Sequence, residues 1–211
     1  MLAILLLWTV CLLAYRWIDP PITPLMLLRL ASEPAIQHHS VALGAIAPSL
    51  AQAVIASEDN RFCLHHGIDW GAVEDALDDY QQGEKLRGAS TITMQVARNL
   101  FLWPGGGFAR KSIEAILALS LDAAWPKRRI VEVYLNIAEW GHGIYGAEAA
   151  AQAHFHKPAS RLTRQEAALL AAVLPNPRRW NPAQPTGYIE RRAAVIAQRI
   201  DKLGPLLACT H

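Results

Sequence analysis

A chain of 211 residues has room for one domain of ordinary size and a short appendage. Hydrophobic residues make up 52%, above the usual share, with much of the surplus in the opening run MLAILLLWTVCLLAY; the remainder reads as globular. With 20 Lys and Arg against 18 Asp and Glu, the formal charge of +2 gives no support to a nucleic-acid partner, and none is expected.

Met1–Tyr15 holds no charged side chain. As a helix it would reach ~22 Å, short of the ~30 Å hydrocarbon core. A cleaved signal peptide needs a basic segment before the run and a small-x-small site after it; the first is missing, and AYRWIDPP puts bulky residues at the second. A membrane anchor over residues 1–18 is therefore expected, ahead of a signal peptide or a buried soluble helix. Arg16 and Trp17 suit an interfacial belt, although the positive-inside rule points the bulk of the chain the wrong way unless basic residues precede this start. LMLLRL, Leu25–Leu30, is too short to span and is expected to lie along the bilayer surface. Pro20, Pro21 and Pro24 break any continuous helix, so residues 19–41 read as a stiff connector and residues 42–211 as the globular domain. Cys11, Cys63 and Cys209 are odd in number and far apart, so no disulfide framework is implied, and Cys63 and Cys209 are not expected to pair.

Ser49–Ala56 has the pattern of a buried helix, and it delivers the chain to EDNRFCLHHGID, Glu58–Asp69. Glu58 and Asp59 then sit where a core element meets an open cleft, a border at which carboxylates have altered proton affinity. The plainer alternative is that they cap a helix or pair with Arg61. His65, His66 and Asp69 invite a metal reading, but adjacent histidines rarely face the same way and no third ligand stands at a familiar spacing, so no metal site is expected. GASTITMQ, Gly88–Gln95, is small and hydroxylated and ends in an amide, which suits close approach to phosphate or sugar, although taken alone it reads as an ordinary Ser/Thr-rich helix start; Arg98 follows on the same helical face. Gly105, Gly106 and Gly107 make a flexible loop. Arg110 and Lys111 next oppose the dipole of a helix they begin, and they precede Glu114 in the weaker order for helix pairs. Charges so placed are expected to be held for a ligand, a pyrophosphate, with a plain surface salt bridge as the alternative, and loss of Arg110 is expected to spare stability.

IVEVYLNIAEW, Ile130–Trp140, is ambiguous between helix and strand by its period. Thr163 and Glu166 form a capping box ahead of AALLAAVL, and Pro175 ends that helix. Ile189, Ala193, Ile196, Ile200 and Leu203 mark a final amphipathic helix closed by Gly204 and Pro205, with Arg191, Arg192, Arg199 and Lys202 on a face that reads as solvated. No G-x-G-x-x-G or Walker spacing is present, so a sugar nucleotide has no seat.

Glu58, Asp59, Phe62, His65, Gly67 and Asp69 match the signature E-D-x-x-F-x-x-H-x-G-x-D of the peptidoglycan glycosyltransferases, glycosyltransferase family 51. GASTITMQ, RKSIE (Arg110–Glu114), KRRIVEVYLN (Lys127–Asn136) and GIYGAEAAAQAHF (Gly143–Phe155) follow in the family's order. The resemblance spans roughly Ile46 to Pro182, and it is to the monofunctional members, since no penicillin-binding transpeptidase region follows. It implies a mainly α, lysozyme-like glycosyltransferase domain on one N-terminal transmembrane helix, single-pass in the cell inner membrane with the domain in the periplasm. It makes Ile130–Trp140 helical. Its implied substrates are lipid II and the growing glycan chain, its surroundings membrane lipid and other cell-wall synthesis proteins.

By the same resemblance Glu58 is the general base and Glu114 the second catalytic acid, assisting departure of the leaving group. No cofactor is obligatory, with a divalent cation such as magnesium open to Glu114. Substrate contacts are expected from Asp59, Arg61, Phe62, His65, Ser90, Thr91, Gln95, Arg98, Arg110, Lys111 and Asn136. Asn136, Tyr145 and Glu148 belong to the later motifs, where support of the fold is expected more than chemistry. Trp103, Trp125 and Trp140 are expected in the core rather than along a glycan groove. Two departures stand out against the commoner GGSTITQQ and the loop that follows it: Met94 lacks an amide, and Gly106 stands where many relatives carry an arginine, leaving Arg98 or Arg110 to supply the charge. The rival readings are a wall-degrading lysozyme-like enzyme and a non-catalytic scaffold.

Overall fold

The computed structural model describes residues 2–33, 35–83 and 88–210 and is mainly helical. Helix α1 (Leu2–Ala14) comes first, followed by α2 (Pro24–Arg29), capped by the Thr23 hydroxyl. Strand β1 (Gln37–His38) leads into α3 (Pro48–Glu58), α4 (Trp70–Gln81), α5 (Ile92–Phe101), α6 (Phe108–Ala124) and α7 (Lys127–Ile137). Strands β2 (Glu139–Gly141) and β3 (Ile144–Tyr145) form a turn before α8 (Ala147–Phe155), α9 (Arg164–Val173) and α10 (Gly187–Leu203).

Burial explains which segments are helical. In α7 the face Ile130, Val131, Val133, Tyr134, Leu135 and Ile137 is enclosed, so the branched residues that blur its period pack inside a helical core. The expected capping box at Thr163 and Glu166 is formed and starts α9, whose residues Ala167–Val173 are all buried. Small side chains there let α3 and α10 pack closely against it, and α5 packs between α6 and α7. The sequence carries no sign of the three-stranded sheet, in which β1 runs parallel to β3 and β2 antiparallel. Strands of two or three residues are too short to show alternation.

Residues 19–41, expected as a connector, hold α2 and β1. Met26 is fully enclosed, while Leu27, Leu28 and Leu30 face outward. Among the described residues no helix is long and apolar enough to cross a membrane; α1 has 13 residues, about 20 Å of helix. Its end is fastened to the domain: Trp125 Nε1 donates to Leu12 O at 2.7 Å, and Arg129 donates to the carbonyls of Tyr15 and Ile18 and to Asp19.

One sequence expectation is overturned here. Cys63 and Cys209 form a disulfide, their Cα atoms 5.6 Å apart across 146 residues of sequence. A 3₁₀ helix, Gly204–Thr210, continues beyond α10 and packs on α7, which returns the C-terminal segment to the loop after Glu58. Separation in sequence says nothing about such a return.

Candidate active site

Glu58 is the last residue of α3, and Asp59 leaves the helix in extended backbone. The two adjacent carboxylates therefore point apart. Glu58 Oε2 accepts a hydrogen bond from Gln95 Nε2 at 3.0 Å, and it lines a cleft of about 330 Å³ with Ser90, Thr91, Asn60 and Arg199. Burial raises its pKa above the usual value, and Asp59 adds to the effect. The Gln95 hydrogen bond and the charges of Arg192 and Arg98 pull the other way without cancelling it. An accessible carboxylate with raised proton affinity is what a general base requires.

Asp59 serves the frame. Its oxygens accept from His65 Nε2 at 2.9 and 3.0 Å and from the Ile92 backbone N–H at 2.9 Å, which fixes the start of α5 to the loop. Phe62 is fully buried, its ring edge-on to His65 and covered by the Lys127 ammonium 4.6 Å from the centroid. Gly67 has a φ of +82°, and a Cβ there would come within 2.8 Å of Ala118 O, so only glycine lets the loop lie on α6. Asp69 caps α4 through the Ala72 N–H, with Arg61 3.4 Å away and largely exposed. Thr91 caps α5 and donates to Gly67 O at 2.6 Å. The expectation of substrate contact is thus corrected for Phe62 and His65, whose side chains are enclosed, whereas Asp59 and Thr91, though largely buried, both line the Glu58 cleft.

Asn136 is corrected too. It is fully buried, donates to Val41 O and Glu132 O, and accepts from the Val41 N–H, so its amide holds the approach to α3. Glu148 accepts from the Ala159 N–H and from Gln152, as its supporting role requires. Trp125 and Trp140 are core residues, with Trp140 Nε1 donating to Leu170 O, whereas Trp103 is exposed.

The second cluster begins at the loop before α6. Glu114 is 0% exposed; Arg110 Nη1 donates to one of its oxygens and Lys111 Nζ to the other, at 2.6 Å. Lys111 also donates to Ser90 Oγ at 2.7 Å, and Ser90 lines the Glu58 cleft, so one hydroxyl joins the two clusters. Arg110 lies across Gly106, where φ is +96° and a Cβ would come within 2.9 Å of Arg110 Cδ. Glycine at that place makes room for the arginine at 110. With both oxygens of the buried Glu114 already held by Arg110 and Lys111, the donor set does not fit a divalent ion bound directly to it. Beside the cluster an apolar groove of about 450 Å³ is lined by Trp70, Met94 and Phe108 with Lys111 and Ser90 at its edge. Met94 therefore contributes apolar surface where the commoner motif carries an amide.

The face of α10 read as solvated turns out to border the cleft. Arg199 lines the Glu58 cleft, and a neighbouring cleft of about 280 Å³ carries Arg191, Arg192, Arg199 and Tyr188, with Ser57 shared between them. Periodicity cannot separate a charged face that meets water from one that overhangs a cleft. Glu58 and Gln95 thus have Arg98 and the α10 arginines near them, and Ser90 links them to Lys111, Arg110 and Glu114.

A family model described as Transglycosylase matches residues 27–201. A biosynthetic peptidoglycan transglycosylase of Rhodospirillum centenum is 61% identical over 188 residues, covering 89% of this chain and 81% of that protein. Proteins of the same description from Ectopseudomonas mendocina and Rhizobium meliloti are 50% and 49% identical, covering 91% and 90% of this chain and 82% and 81% of theirs.

Proposed function

The chain belongs to the transglycosylase family, and from that premise we propose how its cleft lengthens a peptidoglycan glycan strand. It is a peptidoglycan glycosyltransferase serving bacterial cell-wall synthesis, with lipid II and the growing glycan as substrates. Glu58 removes the proton from the 4-hydroxyl of the lipid II acceptor. That oxygen attacks the anomeric carbon of the donor chain, the bond to undecaprenyl diphosphate breaks, and the α-linked donor becomes a β-1,4 linkage. The observation that carries this reading is the Glu58 carboxylate, of raised pKa, lining the cleft with cationic groups on both sides of it.

Each side takes one lipid-linked substrate. Lys111, Arg110 and Ser90 bind the donor's pyrophosphate and stabilise the charge it gains on leaving. Glu114 assists by holding both cations in place. Arg191, Arg192 and Arg199 attract the anionic groups of the acceptor. The apolar groove next to Lys111 gives the donor's prenyl chain a way out toward the bilayer. Exclusion of water from the anomeric carbon keeps transfer ahead of hydrolysis.

Residues 1–18 anchor the chain in the inner membrane and residues 42–211 form the periplasmic glycosyltransferase domain, in this reading. Support comes from the outward Leu6, Leu7, Val10, Leu13 and Trp17 of the first segment and from exposed Trp70, Tyr80, Phe108 and Ile116 on α4 and α6. The disulfide suits an oxidising compartment. The wall-degrading and scaffold readings are separated from this one by a pair of incubations. With lipid II the purified protein should yield polymer, and with preformed glycan it should yield no shorter chains; shortened glycan, or no change in either tube, contradicts the proposal.

A further inference from the structure

Tyr134 lies on α7 with 2% of its surface exposed. A phenylalanine would fill the same space without bringing a hydroxyl that must be satisfied inside the core. The hydroxyl donates to Gln95 Oε1 at 3.3 Å, and Gln95 Nε2 donates to Glu58 Oε2 at 3.0 Å. Chemistry sets the direction of both bonds. An ionised carboxylate only accepts, so Gln95 must turn its nitrogen to Glu58, and its oxygen is left facing Tyr134, which supplies the proton. Burial holds the Tyr134 pKa well above the usual range of a phenol, so the hydroxyl keeps that proton at any working pH. Met94, where the commoner motif has a second amide, faces the apolar groove, and Gln95 is the amide that reaches the carboxylate.

We propose that Tyr134 is a positioning residue for glycosyl transfer: through Gln95 it holds Glu58 as an ordered, ionised base facing the cleft. This rests on Glu58 being the base. Donation to Oε1 polarises the amide and strengthens its N–H bond to Glu58, whereas an amide without that anchor holds its N–H less firmly against the carboxylate. The other charges facing Glu58 or its cleft are Asp59 after α3, Asp69 at the start of α4, Arg98 on α5, and Arg192 and Arg199 on α10. None of these changes when the Tyr134 hydroxyl is removed.

The test is the pH dependence of kcat/KM for lipid II polymerisation by the full chain, Tyr134→Phe, Gln95→Ala and the double variant. Gln95→Ala removes the hydrogen bond to the carboxylate itself and should move the acid limb upward by on the order of one pH unit, and Tyr134→Phe, which removes only the neutral bond behind it, should move the limb in the same direction by a fraction of that. In both variants the rate should fall below the limb and recover at higher pH, with KM little changed by Tyr134→Phe. Because the effect passes through Gln95, the double variant should share the limb of Gln95→Ala alone. An unmoved limb in Tyr134→Phe, or a further shift in the double variant, overturns the proposal. If Tyr134→Phe does not fold, Gln95→Ala must still raise the limb, and failure to do so is equally fatal. Glu58→Gln separates the two levels: if it still polymerises, Glu58 is not the base, whereas an inactive Glu58→Gln with an unmoved Tyr134→Phe limb removes only Tyr134.

Discussion

Arg110→Ala is the substitution on which helix reasoning and the folded structure give opposite signs for stability. In the first turn of α6 a cation opposes the dipole, and removing it returns about 0.3–1 kcal/mol. Against this stands Glu114, fully enclosed, with Arg110 on one oxygen and the partly exposed Lys111 on the other. Losing one charge-assisted bond to a buried carboxylate costs about 1.5–3 kcal/mol, and the remaining lysine keeps the loss below that of an isolated buried charge. The net is a destabilisation of about 1–2 kcal/mol, or about 2–8 °C in melting temperature for a chain of this size. Thermal unfolding followed by circular dichroism reads it directly, and polymerisation per folded molecule should fall by a much larger factor because the donor's pyrophosphate loses a contact. An unchanged or raised melting temperature would refute the claim that Glu114 needs both cations.

Cys209→Ser, read by chemical denaturation, should cost about 2–5 kcal/mol, and reductant should lower the wild-type protein to the same level without affecting the variant. Asn136→Ala should lose about 1–3 kcal/mol, from the stranded backbone groups of Val41, while KM for lipid II stays within about twofold in a protein that remains folded. Arg199→Ala should raise KM for lipid II with little change in melting temperature, because its side chain borders the cleft; a fall in stability with KM intact would return it to an ordinary helix face.

Elements whose local chemistry is self-contained were legible in the sequence. The Thr163–Glu166 capping box, the apolar face of α10 and the polar run at Glu58 all follow from residues within a few positions of each other. The Glu58–Gln95 pair was legible only as two motifs, and their meeting depends on α3 and α5 both facing the cleft. What could not be read required knowledge of the opposite wall. Arg192 and Arg199 lie on a face that any helical wheel assigns to solvent, Tyr134 resembles one more core aromatic, and Cys63 finds its partner 146 residues away. The burial of Glu114 was hidden for the same reason, since an Arg-Lys-x-x-Glu run on an exposed helix has the same spelling.

The central claim is that Glu58 is the proton acceptor in glycan extension, and Glu58→Gln tests it most directly when polymerisation and stability are measured on the same preparation. Burial raises the folded-state pKa of Glu58, so its protonated form stabilises the fold at low pH and that contribution is lost as pH rises through the folded value. At neutral pH the ionised carboxylate is therefore a local cost, and the neutral amide should leave the melting temperature equal or slightly higher. Polymerisation of lipid II should fall at least ~10²-fold, as expected for a missing general base. Retention of more than about a tenth of the wild-type rate by a fully folded Glu58→Gln protein would contradict the account.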